Sequence, residues 1–149
     1  MALGLASACM EEFLSMAKEK TPQGSTRSLA MNPATPRRVA LATAQLRSAR
    51  LYFYDASENA WEIPWQTNEP PLEARTDVRL ATTHAVSAAV EIIDSLYTLA
   101  GGTSVYLRSP IQRHFRDVHV ATQHMMVNEA TLELVGRIQL GLETNVSQL

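Results

Sequence analysis

The chain contains one cysteine, Cys9, in 149 residues. A single thiol excludes an internal disulfide and any cysteine-built metal site. Neither sign of charge dominates: 13 basic residues face 15 acidic ones, for a net charge of −2. No basic stripe runs along the sequence, so nucleic acid is not an expected partner. Long apolar runs are also absent. The most apolar stretch, Leu80 to Ala100, is interrupted by His84, Glu91 and Asp94, which makes it a poor membrane span. The N-terminus lacks a basic segment followed by an apolar one, so it does not read as a signal peptide. These absences predict a cytoplasmic chain without a membrane partner. No run alternates apolar and polar residues as a half-buried strand would.

Helical periodicity is what the sequence has. Leu5, Cys9, Phe13 and Met16 share one face of a helix over about 3–20, which Thr21-Pro22-Gln23-Gly24 ends. Lys18 and Lys20 suit its C-terminal end. Asn32-Pro33 reads as an N-cap with proline in the first turn. Behind it Val39, Ala42, Leu46, Ala49, Phe53, Ala56 and Ala60 follow a three-four spacing, predicting a long helix to about Trp61. Arg37, Arg38, Arg47 and Arg50 fall on what should be its solvated face. Pro64 and Pro70-Pro71 mark a loop. A third helix, about 72–100, carries two apolar faces, one of Ala81, Ala85, Ala88, Ile92, Leu96 and Leu99 and one of Val86, Ala89 or Val90, Ile93 and Tyr97, and should be buried on more than one side.

Gly101-Gly102 supplies the stop. Ser109-Pro110-Ile111-Gln112 has the form of a capping box for a fourth helix running to about Leu142. Its stripe includes Phe115, Val118, Met125, Leu132 and Val135, with Gly136 marking a close helix contact, before a polar tail from Glu143. The expected architecture is all-α, an up-down-up-down four-helix bundle forming a single domain over 1–149.

Taken one at a time, the residues that could carry chemistry have ordinary readings. His114, His119 and His124 are five apart, about 140° round a helix, so they cannot converge on one ion. No Glu-x-x-His pair is present, and no metal is expected. There is no Gly-x-Ser-x-Gly, and the Gly-Gly pair follows no strand. Gly101-Gly102 can be a helix stop, His124 a satisfied helix histidine, and Arg116-Asp117 an ion pair.

Their order says more. Helix, Gly101-Gly102, short loop, capped Pro110, then Arg113-His114-Phe115-Arg116-Asp117 resembles the C-terminal helical domain of acyl-CoA dehydrogenase-like flavoproteins. The likeness extends over nearly the whole chain, from Ala2-Leu3-Gly4-Leu5-Ala6 to Gln139. It implies a subunit of three parts: an N-terminal helical domain, a middle β domain and this bundle. FAD or FMN would lie between the last two, with part of the site contributed by a neighbouring subunit. By the same resemblance the Gly-Gly turn approaches the nucleotide end of the flavin. There glycine would admit phosphate to the backbone, Thr103 and Ser104 would offer hydroxyls, and Arg113 or Arg116 positive charge.

Acyl-CoA dehydrogenases often carry a catalytic glutamate about eight residues after Arg-Asp. This sequence has Thr122-Gln123-His124-Met125-Met126 there, and lacks the Arg-x-x-Phe-Gly element after the first helix. Both departures point away from proton abstraction on an acyl-CoA. A histidine in that place resembles the flavin-dependent monooxygenases, which hydroxylate aromatic or sulfur compounds. Its unperturbed pKa near neutrality suits proton handling at the flavin's reactive edge, making His124 the candidate catalytic residue.

No segment of the 149 residues reads as the β domain. Alone the chain should therefore bind flavin weakly or not at all, the cofactor belonging to a complete protein or one sharing a separate β domain. A homo-oligomer, dimer or tetramer, is expected. Leu3, Trp61, Trp65 and Tyr106 are candidate anchors. The alternatives are a bundle that acts only in oligomerisation, or a domain of an acyl-CoA dehydrogenase.

Overall fold

A computed structural model describes residues 1–63, 69–147 and 149. Pro64 and Trp65, expected to end the second helix and to serve as an anchor, lie outside the described residues. Among those described, the chain is all-helical: α1 (Ala2–Glu19), α2 (Ala34–Glu62), α3 (Leu72–Ala100), α4 (Pro110–Thr122) and α5 (Glu129–Gln139). A short 3₁₀ turn precedes α2 and another, Gly101–Val105, joins α3 to α4.

Helix α3 is the hub, packing against α1, α2, α4 and α5. Its two apolar faces explain this: Ala85, Ala88, Ala89, Ile92, Ile93 and Leu96 are all buried. The core joins Phe13 and Cys9 of α1, Ile92, Ile93 and Leu96 of α3, and Val118 of α4. The alanine seam of α2 is its inward face, with Ala42, Ala49 and Ala56 buried. Small residues there let α2 lie close against α3. Tyr52 of α2 donates to Asp77 of α3 at 2.6 Å, and burial with that carboxylate pushes the phenol up to about 12. The four arginines of α2 are exposed, as their phase requires. Asn32 caps the helix as expected, its Oδ1 accepting from the Ala34 N–H at 3.0 Å.

The last expected helix is wrong in form. It is two helices, broken at residues 123–128. Thr122 donates its hydroxyl to the His119 carbonyl at 2.7 Å, and His124 takes the Met126 N–H on its ring. Such local side-chain bonds compete with the helical ladder. The stripe drawn across this break fails with it: Met125 is 64% and Leu132 46% exposed, whereas Val118 and Val135 are buried. Two finer expectations also fail. Ser109, although at the N-cap of α4 and buried, makes no side-chain capping bond to it. A Cβ on Gly136 would meet nothing within 4 Å, so no close helix contact requires that glycine.

Candidate functional site

Two features expected to carry function lie at opposite ends of α4, about 20 Å apart for a helix of its thirteen residues. A single chain therefore does not gather Gly101-Gly102 and His124 around one reacting atom.

At the first end, the two glycines differ. Gly101 has φ 58° and ψ −148°, a conformation essentially closed to residues with a Cβ. It turns the chain out of α3 and is needed by the fold. Gly102 has no positive φ, and a Cβ there would meet nothing within 4 Å. Its side-chain hydrogen is not dictated by the turn.

Thr103 is exposed, and so are Arg113 and Arg116. Arg116 lies 4.0 Å from the adjacent Asp117 carboxylate, with both side chains about half exposed. Ser104 is different: it is 1% exposed, and its hydroxyl lies 2.7 Å from the Gly101 carbonyl and 3.1 Å from that of Tyr97. That hydroxyl serves the turn itself. A groove of about 550 Å³ opens beside it, lined in part by Glu12, Met16, Thr103, Tyr106 and Arg108. The Arg108 guanidinium sits 5.3 Å from the Tyr106 ring centre.

Lys20 belongs to this end too. Its ammonium donates to the carbonyl of Ala100, the last residue of α3. A cation there complements the dipole at the end of α3. The sequence offered no signal for this pairing, because Lys20 suits the end of its own helix equally well.

At the second end, His124 is exposed in the α4–α5 turn rather than on a helix. Its Nδ1 accepts the Met126 N–H at 3.2 Å, and its carbonyl accepts the Val127 N–H at 3.0 Å. A ring nitrogen that accepts carries no proton, so neutral His124 has its hydrogen on Nε2. Met126 is in turn held from α3: Arg79 Nη1 donates to the Met126 carbonyl at 3.0 Å and lies 2.7 Å from its sulfur. Arg79 is only 7% exposed, and burial lowers its pKa. It was missed in the sequence although a clue was there, since it falls on the buried phase of α3 between Thr76 and Thr83.

The other histidines in the series have separate partners. Buried His114 faces Glu12 of α1 at 3.4 Å. His119 Nδ1 donates to the Phe115 carbonyl at 2.7 Å, leaving Nε2 3.6 Å from Asp94. Burial raises the Asp94 pKa while His119 draws it back. Among the described residues no three His, Cys, Asp or Glu side chains are grouped to hold a metal, and no helix is long and apolar enough to cross a membrane. Of the expected anchors, Trp61 is 84% and Tyr106 56% exposed, whereas Leu3 is half-buried.

Residues 1–129 fit the family model for the acyl-CoA dehydrogenase C-terminal domain. The chain belongs to this family. It is 35% identical over 139 residues to an indole-3-acetate monooxygenase of Pseudomonas putida, a match covering 93% of this chain and 36% of that protein. It is 32% identical over 141 residues to the enzyme of the same name from Acinetobacter baumannii, covering 95% of this chain and again 36% of the relative. The chain thus spans about a third of the length of these curated relatives. Among solved structures, XiaF from Streptomyces, in complex with FADH2 and glycerol, superposes with a TM-score of 0.88 at 21% identity, covering 99% of this chain and 38% of that one.

Proposed function

We propose that this chain is the C-terminal helical part of a flavin-dependent monooxygenase that hydroxylates a small aromatic compound, with reduced flavin and O₂ as co-reactants. The observation that carries the reading is the α4–α5 turn. It presents an exposed imidazole, with Nδ1 occupied by Met126, where an acyl-CoA dehydrogenase would often present a carboxylate. His124 Nε2 is then the atom that gives or takes a proton near the reacting centre. The reading draws further support from relatives named as monooxygenases.

The residues fit a flavin contributed mainly by other polypeptide. Gly102 is glycine without a conformational need, which suits close approach by an external group. Exposed Thr103 offers a hydroxyl, and Arg113 and Arg116 offer charge to the phosphates of FAD or FMN. The flavin, when bound, supplies the electrons that activate O₂; this chain supplies the proton-handling imidazole and one wall of the cavity. The separation of the two ends of α4 favours a site completed by a second copy in a dimer or tetramer. We read the fold as an up-down-up-down bundle in which α4 and α5, both packed on α3, together form the fourth segment. We place the assembly in the cytoplasm.

The test is a chimera in which this chain replaces the corresponding third of the Pseudomonas putida monooxygenase. The unmodified chimera should hydroxylate indole-3-acetate, and His124→Ala should abolish product while leaving oligomer mass and flavin content unchanged. Product formed at the unmodified rate by the alanine variant would remove His124 from the reaction.

A second reading, association without catalysis, is favoured by one observation. Helix α2 exposes Leu51, Tyr54 and Trp61 along its outer side, an apolar row suited to contact with another copy. Light scattering of the chain alone tests it, a monomer at high concentration counting against it.

A further inference from the structure

Arg79 is a cation with less than a tenth of its surface exposed, and no carboxylate among the described residues lies within ion-pair distance of it. A buried charge without a counter-charge is costly. Its partners are the carbonyl and sulfur of one residue, Met126. That residue's own N–H is the group that occupies His124 Nδ1. Thr131 of α5 reaches the same carbonyl at a longer 3.4 Å. Met126 is thus gripped from α3 and α5 on its carbonyl side, while its amide fixes the imidazole.

We propose that Arg79 is a positioning residue: by holding Met126 it sets the α4–α5 turn so that His124 is kept as the Nε2–H tautomer with its ring at a fixed angle. The inference rests on the reading of His124 as the functional imidazole only for its consequence, because the tautomer is a property of this chain without flavin. Free imidazole exchanges between its two neutral forms, and a donor clamped at Nδ1 removes one of them. A proton-transfer group held in one tautomer meets its substrate already oriented.

The experiment is long-range ¹H–¹⁵N spectroscopy of the intact chain at about pH 9, where histidine is neutral, with amide exchange measured in parallel. The wild-type chain should show His124 protonated on Nε2. In Arg79→Met, which keeps bulk but removes the donors and the buried charge, the two ring nitrogens should move toward the averaged values of a tautomer mixture. The Val127 amide, which closes the same turn onto the His124 carbonyl, should exchange at least about tenfold faster, the lower end of the effect of losing one charge-assisted hydrogen bond. Arg79→Lys, which retains a donor for the Met126 carbonyl, should restore the wild-type tautomer. A wild-type chain protonated on Nδ1 overturns the proposal without any variant, and so does a folded Arg79→Met with an unchanged His124 tautomer. Neither result bears on whether His124→Ala abolishes hydroxylation in the chimera, so the two readings fail separately.

Discussion

Replacing Lys20 with methionine tests whether the Gly-Gly turn is anchored from a distance of 80 residues in sequence. Methionine keeps most of the apolar stem, so the change isolates the ammonium. The lost interaction is a hydrogen bond from a charged donor to the Ala100 carbonyl at the end of α3. Bonds to charged groups contribute about 1.5–3 kcal/mol. The dipole interaction at a helix C-terminus, about 0.3–1 kcal/mol, is largely the same contact and is not added. Against this, releasing a lysine from one geometry returns up to about 1.5–2 kcal/mol of side-chain entropy. The net expectation is a destabilisation of about 1 kcal/mol. With a urea m-value of about 2 kcal/mol/M, the midpoint should fall by roughly 0.5 M with m unchanged. Because Lys20 is half-buried, 1 M salt should shrink the difference between the two proteins only in part. Lys20→Arg, which keeps charge and donor, should recover most of the loss. A methionine variant within the roughly ±0.5 kcal/mol of ordinary surface changes would refute the anchor.

Other measurements follow from the same geometry. Gly101→Ala must place a Cβ at φ 58° and should cost about 1–3 kcal/mol, whereas Gly102→Ala should change stability by less than about 0.5 kcal/mol; equal effects would mean the turn is built differently. Alanine at 102 should nevertheless weaken flavin retention in the chimera, read by the flavin released on dilution. The Cys9 thiol is fully buried, and burial, with the Glu12 charge adding, pushes it up to about 12. It should resist alkylation at pH 8 until urea unfolds the chain; prompt labelling of the native protein would contradict the core assignment. Since the native thiol holds its proton more tightly than the unfolded one, that stability is present below about pH 9 and is lost as pH rises toward 12. Ala49→Leu, at a position with no exposed surface in the α2 seam, should overpack the contact with α3 and cost about 1–3 kcal/mol, measured by thermal melting.

Much of the helical plan is a property of the chain read locally. Apolar spacing sets the extents of α1, α2 and α3 to within a residue or two, because each helix hides one or two stripes and local hydrogen bonds give it its period. The Asn32 cap, the solvated arginines of α2 and the Gly101 stop are local as well. The sequence also carried the Gly-Gly pair and His124, on which the proposed function rests. The tertiary structure decided what depends on competition or distance. In the turn at 123–128 the His124 ring takes the Met126 N–H in place of a ladder bond, a local interaction that apolar periodicity does not report. Lys20 reaches another helix's last carbonyl, and Arg79 holds the turn of His124. Neither follows from spacing, because a side chain's partner across 47 or 80 residues is chosen by how the helices pack.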